Sequence, residues 1–463
     1  MRMLRRASPD ASARYADRES PTVTSSRKTP DQPSAERPFP WIGLLTLAAA
    51  IFVLVTSEFL PTGLLPDMAR DLGVGESRVG LLVTIFAATV ALTTAPLAAL
   101  THRYSRKWLL IGVLGVFALA NVLAAIAPSY ELLIGARVLG GLAHGLFWAI
   151  AGAYAGHLVP RHQIARAVAV TSAGGTTAFV LGVPVGTAIG QALGWRSAFG
   201  IIAASVVLLA LLVLRFLPAV DHRVSLATGE IPVPARRDPT FPGVLLVCLL
   251  VVIIVMGHNV FYTYIAPFII DEAGFPRDSV SIMLFLYGGA GAIGLVLAGV
   301  VGSRFPRAGL HGMLAGVALS VAVLAAAPGI PVIVVVAIVV WGVAFGGIPA
   351  LLQTRLLHVA SPRVRDLGAA LLTTSFNIAI GGGALIGGLL LDQAGLLVLP
   401  VVEAVVIVLA IIVLVLADVR SRRGRAAATA DARRADAQRP EVHRELEFGS
   451  PLTGPIPTSD RDA

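Results

Sequence analysis

Long apolar runs recur along the chain, and short polar turns separate them. Each run is close to the length of about 20 residues that an α-helix needs to cross a bilayer. The predicted spans of the first half are 41–65, 79–100, 108–127, 131–158, 165–193 and 197–217. Those of the second half are 243–269, 280–301, 310–327, 331–357, 368–391 and 397–417. The pattern therefore predicts an all-α polytopic membrane protein with twelve transmembrane helices.

The second half of the chain repeats the first. The stretch 71–108 contains a polar turn, an uncharged apolar run and a basic turn, and it returns as 272–309 after a shift of 201 residues. The shift places Gly73 on Gly274, Val79 on Val280, Arg103 on Arg304 and Arg106 on Arg307. Both halves begin on the same side, so the repeat is parallel. Two six-helix halves related by an axis along the membrane normal are typical of secondary transporters.

Five segments follow from this pattern. Residues 1–40 are rich in Arg, Ser and Pro and lack hydrophobic periodicity, so we predict a disordered tail. The N-terminal half is 41–217, a polar linker is 218–242, and the C-terminal half is 243–417. Residues 418–463 are charged and rich in Arg, and we predict a second disordered tail.

Composition agrees with a membrane protein and excludes a soluble globular one. The 463 residues are 56% hydrophobic and 14% charged, with a mean hydropathy of +0.81. The net charge of +9 comes mainly from loops and tails, where basic residues set orientation, so we expect no nucleic-acid partner. Cys248 is the only cysteine, which excludes an intrachain disulfide and a cysteine metal cluster.

The two sides of the predicted bundle differ in charge. One side, here called the basic end, carries Arg103, Arg106, Lys107, Arg161, Arg223, Arg236, Arg237, Arg304, Arg307, Arg363 and Arg365. The other, the acidic end, carries Arg70, Arg78, Arg196 and Arg277 among Asp67, Asp71, Glu76, Asp271, Glu272 and Asp278. The positive-inside rule places the basic end in the cytoplasm. We therefore expect an inner (plasma) membrane protein with both termini in the cytoplasm.

Ionisable residues inside spans are costly and often functional. Glu58 lies roughly 10 Å from the acidic end of the first span, at 1.5 Å per residue, and Arg137 lies at a similar depth in the fourth. We predict that their side chains pair, either to couple proton binding to transport or only to hold the bundle together. His144 lies two turns after Arg137 on nearly the same face, where it would relay protons, bind substrate or bond to a neighbouring helix.

The seventh span carries a second polar group. His258 lies 17 residues after Phe241, as Glu58 lies 17 after Trp41, so the repeat puts ionisable residues at matching depth. The candidate cavity residues are His258, Asn259, Tyr262, Tyr264, Phe147, Trp148, Trp341, Phe345 and Asn377. Aromatic rings suit a flat or amphiphilic substrate, although packing alone would also explain each of them. Glu403, near one end of the twelfth span, we predict to be interfacial.

Motifs for other chemistry are missing from the sequence. It contains no Gly-x4-Gly-Lys-Ser/Thr phosphate loop and no His-Glu-x2-His metal motif. We therefore expect no cofactor, no metal and no enzymatic activity, with a proton gradient as the energy source.

Several short motifs resemble those of the major facilitator superfamily. The loop of residues 98–107 resembles its second-to-third-helix motif, usually Gly-x3-Asp-Arg-x-Gly-Arg-Lys/Arg. Arg103, Arg106 and Lys107 match, whereas Ala98, His102 and Ser105 depart from it. In the family this motif latches the start of the eleventh helix, and the resemblance implies that Asp366 supplies the charge that His102 lacks.

Other motifs point to a branch of that superfamily. Arg137 and Gly141 resemble the fourth-helix motif, and Gly182, Pro184 and Gly186 resemble the fifth-helix motif of drug:proton antiporters. Residues 57–59 and 262–267 are similar to the sugar-efflux branch, which is arabinose-efflux-like and chloramphenicol-resistance-like. The resemblance covers 41–417, and in this family the first and seventh helices face each other across a central cavity.

The resemblance implies proton-coupled efflux, by antiport, of a small organic molecule or drug through alternating access. Its partners would be the substrate, protons and the lipid bilayer, and we expect a monomer. An exporter of sugars or nucleosides is one alternative. A non-transporting membrane sensor or scaffold, with tails that bind partners, is another.

Overall fold

The computed structural model describes residues 39–218 and 238–437. The predicted tail 1–40, except its last two residues, most of the linker 218–242, and residues 438–463 lie outside this part of the chain. Within it, twelve helices are long and apolar enough to cross a membrane. This confirms the all-α fold with twelve spans.

We number these spans in chain order. The N-terminal half contains α1 (Trp41–Leu72), α2 (Glu76–Thr101), α3 (Arg106–Ala125), α4 (Tyr130–His157), α5 (Ile164–Leu193) and α6 (Trp195–Phe216). The C-terminal half contains α7 (Phe241–Tyr262), α8 (Ser279–Gly302), α9 (Ala308–Ala326), α10 (Pro331–Val359), α11 (Arg365–Ala394) and α12 (Val398–Arg420). Short turns connect most of them, so consecutive helices run in opposite directions across the membrane.

The chain departs from a regular α-helix at three places close to a proline. In α5 a π-helical segment, Ala178–Gly182, leads directly to Pro184, which cannot bond to the carbonyl four residues earlier. After α7, a short helix at Ile265–Pro267 passes into the π-helical segment Phe268–Glu272. In α10 the helix is interrupted at Gly347, and Ile348–Val359 continues the span.

Backbone conformation repeats between the halves as the sequence does. The described glycines with positive φ form two pairs, Gly73 with Gly274 and Gly194 with Gly395, each separated by 201 residues. Their φ angles are 64° and 69° in the first pair and 86° and 82° in the second. All four lie in turns at the acidic end, where glycine enters this region without the penalty of a Cβ atom. The structure thus supports the predicted two-fold repeat.

Small residues let α5 lie close against α1. A Cβ atom added at Gly182 would clash with Thr56, one at Gly186 would lie 2.8 Å from Leu60, and one at Gly190 would clash with Leu64. The antiporter-like motif therefore packs along the helix that carries Glu58. In the same region Phe179 lies 4.9 Å from Phe59, ring centre to ring centre, and its carbonyl faces Gly288 of α8.

Polar contacts join the two halves toward the acidic end. Thr84 of α2 donates to the carbonyl of Gly381 in α11 at 2.9 Å. The side chain of Gln191 donates to the carbonyl of Arg277 at 2.7 Å, and the guanidinium of Arg277 pairs with Asp67. The buried residues of α2 extend only from Val79 to Val90, so the remainder of that helix toward the basic end is not enclosed. We interpret this arrangement as closed at the acidic end.

The C-terminal tail was predicted to be disordered from residue 418, and this is wrong for its first part. The helix of α12 continues without a break to Ala437. Alanine and arginine, which dominate this segment, are among the best helix formers. Asp418 accepts a hydrogen bond from Arg355 of α10 at 2.7 Å, which fixes the point where the helix leaves the predicted membrane span.

Close packing of α8 on α10 gives a first prediction. A Cβ atom at Gly294 would clash with the carbonyl of Val343, whereas one at Gly289 of the same helix would meet no atom within 4 Å. We expect Gly294→Ala to lower the thermal midpoint of the purified protein, because backbone atoms must move apart. Gly289→Ala, the control, should leave it unchanged or raise it, since alanine favours helix by about 0.5–1 kcal/mol. Equal midpoints for both variants would contradict this helix contact.

Candidate functional site

Arg137 satisfies a backbone carbonyl that Pro61 leaves free in the first helix. Pro61 lacks the N–H that would bond to the carbonyl of Ser57, four residues earlier in α1. Arg137, buried in α4, donates to this carbonyl at 3.0 Å and to the carbonyl of Glu58 at 3.0 Å. Its guanidinium also lies 4.2 Å from the centre of the Phe86 ring, a cation–π contact with α2. The arginine therefore supplies the hydrogen bond that the proline removes.

The predicted pairing of the Glu58 and Arg137 side chains is not formed. Arg137 reaches α1 through the main chain, and the carboxylate of Glu58 instead approaches His144, with Oε2 3.4 Å from Nε2. The unsatisfied carbonyl beside Pro61 attracts the guanidinium, a consequence of local backbone geometry that residue spacing does not show. Glu58, Arg137 and His144 are nevertheless brought together, and all three are buried.

Trp148 connects this group to a less enclosed surface. Its indole N–H donates to Nε2 of His144 at 2.7 Å, one turn away on α4. Trp148 is 38% exposed, whereas Nδ1 of His144 and Nε of Arg137 are buried without a partner in the described structure. We call Glu58, Arg137, His144 and Trp148 the N-terminal cluster.

Two further buried residues support this cluster, namely Ser57, which belongs to the motif similar to the sugar-efflux branch, and Asn121, which the sequence reasoning did not single out. Ser57 donates to the side-chain carbonyl of Asn121 at 2.7 Å, and Asn121 donates in turn to the carbonyl of Phe117 at 2.8 Å. This chain connects α1 to α3 directly beside Glu58. The signal for Asn121 was a polar residue in the middle of an otherwise apolar span.

The C-terminal half encloses His258 in aromatic rings. Ring centres lie 3.5 Å away for Phe345, 5.1 Å for Tyr262, 5.1 Å for Trp341 and 6.2 Å for Tyr287. Phe345, Tyr262 and Tyr287 stack nearly parallel to the imidazole, and Trp341 stands at 62° to it. Three of these four residues were predicted to lie in the cavity, and the structure brings them together around the histidine.

Glu403 was predicted to be interfacial, and this is wrong. It is 0% exposed, and its Oε1 lies 3.2 Å from Nδ1 of His258 and accepts the indole N–H of Trp341 at 3.1 Å. Tyr287 lies on the other side, with its hydroxyl 3.3 Å from Nε2 of His258. The helix α12 packs against α7. This contact buries Glu403 although the residue lies less than two turns from the start of α12. We call His258, Tyr262, Tyr287, Trp341, Phe345 and Glu403 the C-terminal cluster.

Asn259 and Tyr264, which were also predicted to line the cavity, lie outside both clusters. Asn259 donates to the carbonyl of Val255 in its own helix at 2.8 Å, and its Cβ lies against Gly383. Tyr264 donates to the carbonyl of Ala384 at 2.8 Å and lies over Gly80 of the other half. These contacts give both residues packing roles in this conformation.

Asn377 and Phe147 also have local partners. Asn377 donates to the carbonyl of Thr373 one turn earlier at 3.0 Å. Phe147 is fully buried, and its ring packs edge-on against Trp148 with centres 6.3 Å apart. Asn377, which is half-buried, stays a predicted cavity residue.

The predicted latch residues lie at the basic end. Arg106 begins α3, Lys107 donates to the carbonyl of Leu214 at 2.9 Å, and Asp366 is exposed in the first turn of α11. Within the described residues no ion pair joins Arg106 to Asp366. Arg103 lies in the turn before α3. The latch is a prediction for a state closed at the basic end, which this structure does not represent.

The architecture defines the class of protein. Twelve membrane helices in two parallel repeats, each with ionisable groups in its interior, are typical of secondary transporters. Residues 47–276 and 247–454 match the family model described as Major Facilitator Superfamily. The chain belongs to this superfamily, and it is a transporter rather than an enzyme.

Solved transporter structures share this fold. A bacterial homologue of the human lysosomal transporter Spinster, in an inward-facing and unoccupied conformation, gives a TM-score of 0.67 at 18% identity, over 82% of this chain and 97% of that chain. The same protein in its occupied conformation gives 0.70 at 17% identity, with the same coverage. The nucleoside transporter NupG, in a point-mutant form, gives 0.65 at 14% identity, over 81% of this chain and 99% of that chain. At these identities the likeness concerns the fold alone.

The link between Pro61 and Arg137 gives a second prediction. Arg137→Ala should destabilise the protein by roughly 1–3 kcal/mol, because it leaves the buried Ser57 carbonyl without a donor. Pro61→Ala restores an N–H opposite the Ser57 carbonyl, so the double variant should lose about 1 kcal/mol less than the sum of the single changes. Thermal unfolding in lipid nanodiscs measures both effects.

Pro66 provides the matched control for this experiment. It lies in the same helix but frees the carbonyl of Thr62, which Arg137 does not contact. Pro66→Ala should therefore combine additively with Arg137→Ala. Additive behaviour of Pro61→Ala as well would show that the arginine does not compensate for the proline.

Proposed function

We propose that this transporter exports a small organic molecule or drug in exchange for protons, by alternating access across the inner membrane. The observation that carries the proposal is the N-terminal cluster, in which a buried carboxyl–imidazole contact adjoins the half-exposed Trp148. The proton gradient is the energy source, without a cofactor. The basic end and both termini face the cytoplasm, as the charge distribution between the two ends favours.

Charge balance makes the N-terminal cluster suitable for releasing a proton. With Glu58 ionised, His144 neutral and Arg137 charged, the cluster is neutral. Adding one proton leaves a net positive charge inside an apolar bundle, which is costly. The proton-free state is therefore the stable resting state of the closed interior, and proton binding requires a change in surroundings such as the opening of the bundle to water.

The position of the proton determines what Trp148 does. In the proton-free cluster Nε2 of His144 is an acceptor and binds the indole N–H of Trp148. A proton on Nε2 turns that atom into a donor, directed at the nearby Oε2 of Glu58. The indole N–H then loses its acceptor and must find another, from water or substrate. Proton binding at His144, inside the N-terminal half, therefore changes the hydrogen bonding of Trp148, whose side chain lies on the less enclosed face of that half.

Alternating access follows from how the halves meet. The contacts of Thr84, Gln191 and Arg277 close the acidic end, which the proposed orientation places outside the cell. Substrate then enters from the cytoplasm, and export requires these contacts to break while the basic end closes. Rigid-body rocking of α1–α6 against α7–α12 accomplishes this change in transporters built from repeats.

The half-exposed ring of Trp148 suits a flat organic molecule. Export of sugars or nucleosides is the alternative, and one solved structure with this fold carries the name of a nucleoside transporter. A panel of substrates in one assay separates these possibilities.

Glu58 is the subject of the third prediction. In inside-out vesicles with an imposed pH gradient, addition of a transported compound should partly dissipate the gradient, as reported by a pH-sensitive dye. The panel contains ethidium, chloramphenicol, arabinose and uridine. Glu58→Gln should abolish this dissipation and leave the helical content unchanged, because glutamine keeps the shape of the side chain but does not bind protons.

Glu131→Gln is the matched control, since it removes an exposed carboxylate from the first turn of α4. It should dissipate the gradient as the wild type does. Trp148→Phe keeps an aromatic ring but lacks the N–H, and it should weaken the coupling without abolishing binding of the transported compound. Wild-type dissipation by Glu58→Gln would eliminate this carboxylate as the coupling group.

The latch at the basic end gives a fourth prediction. We expect Arg106 and Asp366 to pair when the basic end closes during the transport cycle. Arg106→Ala and Asp366→Ala should each slow transport, and the double variant should cost less than the sum of the two. Asp392→Ala, at the opposite end of α11, is the control and should act additively with Arg106→Ala. Strict additivity for Asp366 would show that these two residues do not meet.

A further inference from the structure

We propose that Glu403 and His258 form a second proton-binding site, located in the C-terminal half and independent of the N-terminal cluster. The proposal goes beyond the function argued above, because it holds whichever substrate is transported and whichever way. It rests on the geometry of the C-terminal cluster, in which a carboxylate and an imidazole meet inside a cage of aromatic rings.

The carboxylate of Glu403 has too few partners for an ionised group in an apolar interior. Oε1 accepts one hydrogen bond from Trp341 and lies beside Nδ1 of His258, while Oε2 is buried without a partner in the described structure. No lysine or arginine of the described chain forms an ion pair with it. A neutral His258 leaves the cluster with one net negative charge, and one added proton makes it neutral.

Charged and titratable groups on the surrounding helices do not provide this balance. The titratable groups here are His258 and Tyr262 of α7 and Tyr287 of α8. Helix α10 contributes Trp341 and Phe345, whose side chains do not titrate. The nearest arginine on α10 is Arg355, 14 residues or roughly 21 Å along the helix, and it pairs with Asp418. The charged or titratable residues of α9 and α11, namely His311, Arg365, Asp366 and Asp392, lie near helix ends.

The aromatic cage stabilises the proton-bound form of His258. An imidazolium is attracted by the faces of the stacked rings, and Phe345 lies only 3.5 Å from it, centre to centre. Both ring nitrogens then have acceptors, because Nδ1–H points to Glu403 and Nε2–H points to the Tyr287 oxygen. When the proton leaves Nε2, the Tyr287 hydroxyl rotates and donates to that nitrogen instead. Binding and release therefore require only a change in the direction of one hydrogen bond.

The site differs from the N-terminal cluster in the sign of its charge balance. Arg137 makes the N-terminal cluster neutral without the added proton, whereas the C-terminal cluster, which has no such arginine, is neutral with it. In the closed interior the first site favours release and the second favours retention. Phe345 is the half-buried ring of the cage. The side of the cage that Phe345 forms is therefore nearest to water when the helices move.

Infrared spectroscopy of the full-length protein in nanodiscs tests the site without a substrate. Ring-labelled histidine identifies imidazole bands in spectra recorded as the pH is stepped. The wild type should show a component that His258→Gln removes and that Glu403→Gln also removes, because the uncompensated ring stays neutral. Glu58→Gln and the control Glu131→Gln should retain it. A component that is identical in the wild type and Glu403→Gln overturns the proposal.

Tyr287→Phe provides a second measurement in case Glu403→Gln does not fold. In the proton-bound state the Tyr287 oxygen accepts a hydrogen bond from the charged imidazolium, and the variant loses this strong bond. In the proton-free state the variant loses only a hydrogen bond between neutral groups. Proton affinity should therefore fall roughly fivefold, which moves the midpoint of the histidine component to lower pH. An unchanged midpoint contradicts the proposal. Because this readout involves no transport, failure of Glu58→Gln to affect export would leave it standing.

Discussion

The central constraint on this protein is that its membrane interior leaves no backbone or charged group without a partner except at a cost of several kcal/mol. Pro61 removes one hydrogen bond from the ladder of α1 beside Glu58, and Arg137 of α4 donates to the Ser57 carbonyl that is thereby freed, and also to the carbonyl of Glu58. The arginine is thereby fixed next to the carboxylate that it balances in charge. A proline, a buried cation and a titratable acid thus form one unit at this depth of the bundle.

Much of the fold was predictable, because its determinants are local or periodic. The lengths of the apolar runs indicated the twelve spans, and the 201-residue shift indicated two halves whose turns carry paired glycines of positive φ. Equal depth predicted that Glu58 and Arg137 lie near each other, and helical spacing put His144 on nearly the same face as Arg137. The helical extension to Ala437 was predictable from its alanine and arginine content, although its high charge pointed to disorder.

What sequence reasoning missed depends on which helices cover each other. Glu403 lies near the end of α12, and only the packing of α7 and α10 around it shows that it is buried. The same is true of Tyr287, which is one aromatic residue among several until α8 brings its hydroxyl to His258. The expected contact of Glu58 with Arg137 failed for a different reason, namely competition from a backbone carbonyl that the proline had freed.

The repeat shows how the two halves share a design and differ in chemistry. Phe345 lies 201 residues after His144, and the same shift places Glu58 on Asn259, the residue next to His258. The contact of His258 with Phe345 therefore lies at nearly the same level of its half as the contact of Glu58 with His144. In one half the acid lies on the first helix, with an arginine nearby. In the C-terminal half the base lies on the first helix of the half, and the acid comes from the last helix. Because these arrangements have opposite charge balance, one change in hydration would favour proton uptake in the first half and proton loss in the second. In the proposed mechanism, two such halves make the proton affinity depend on which end is open.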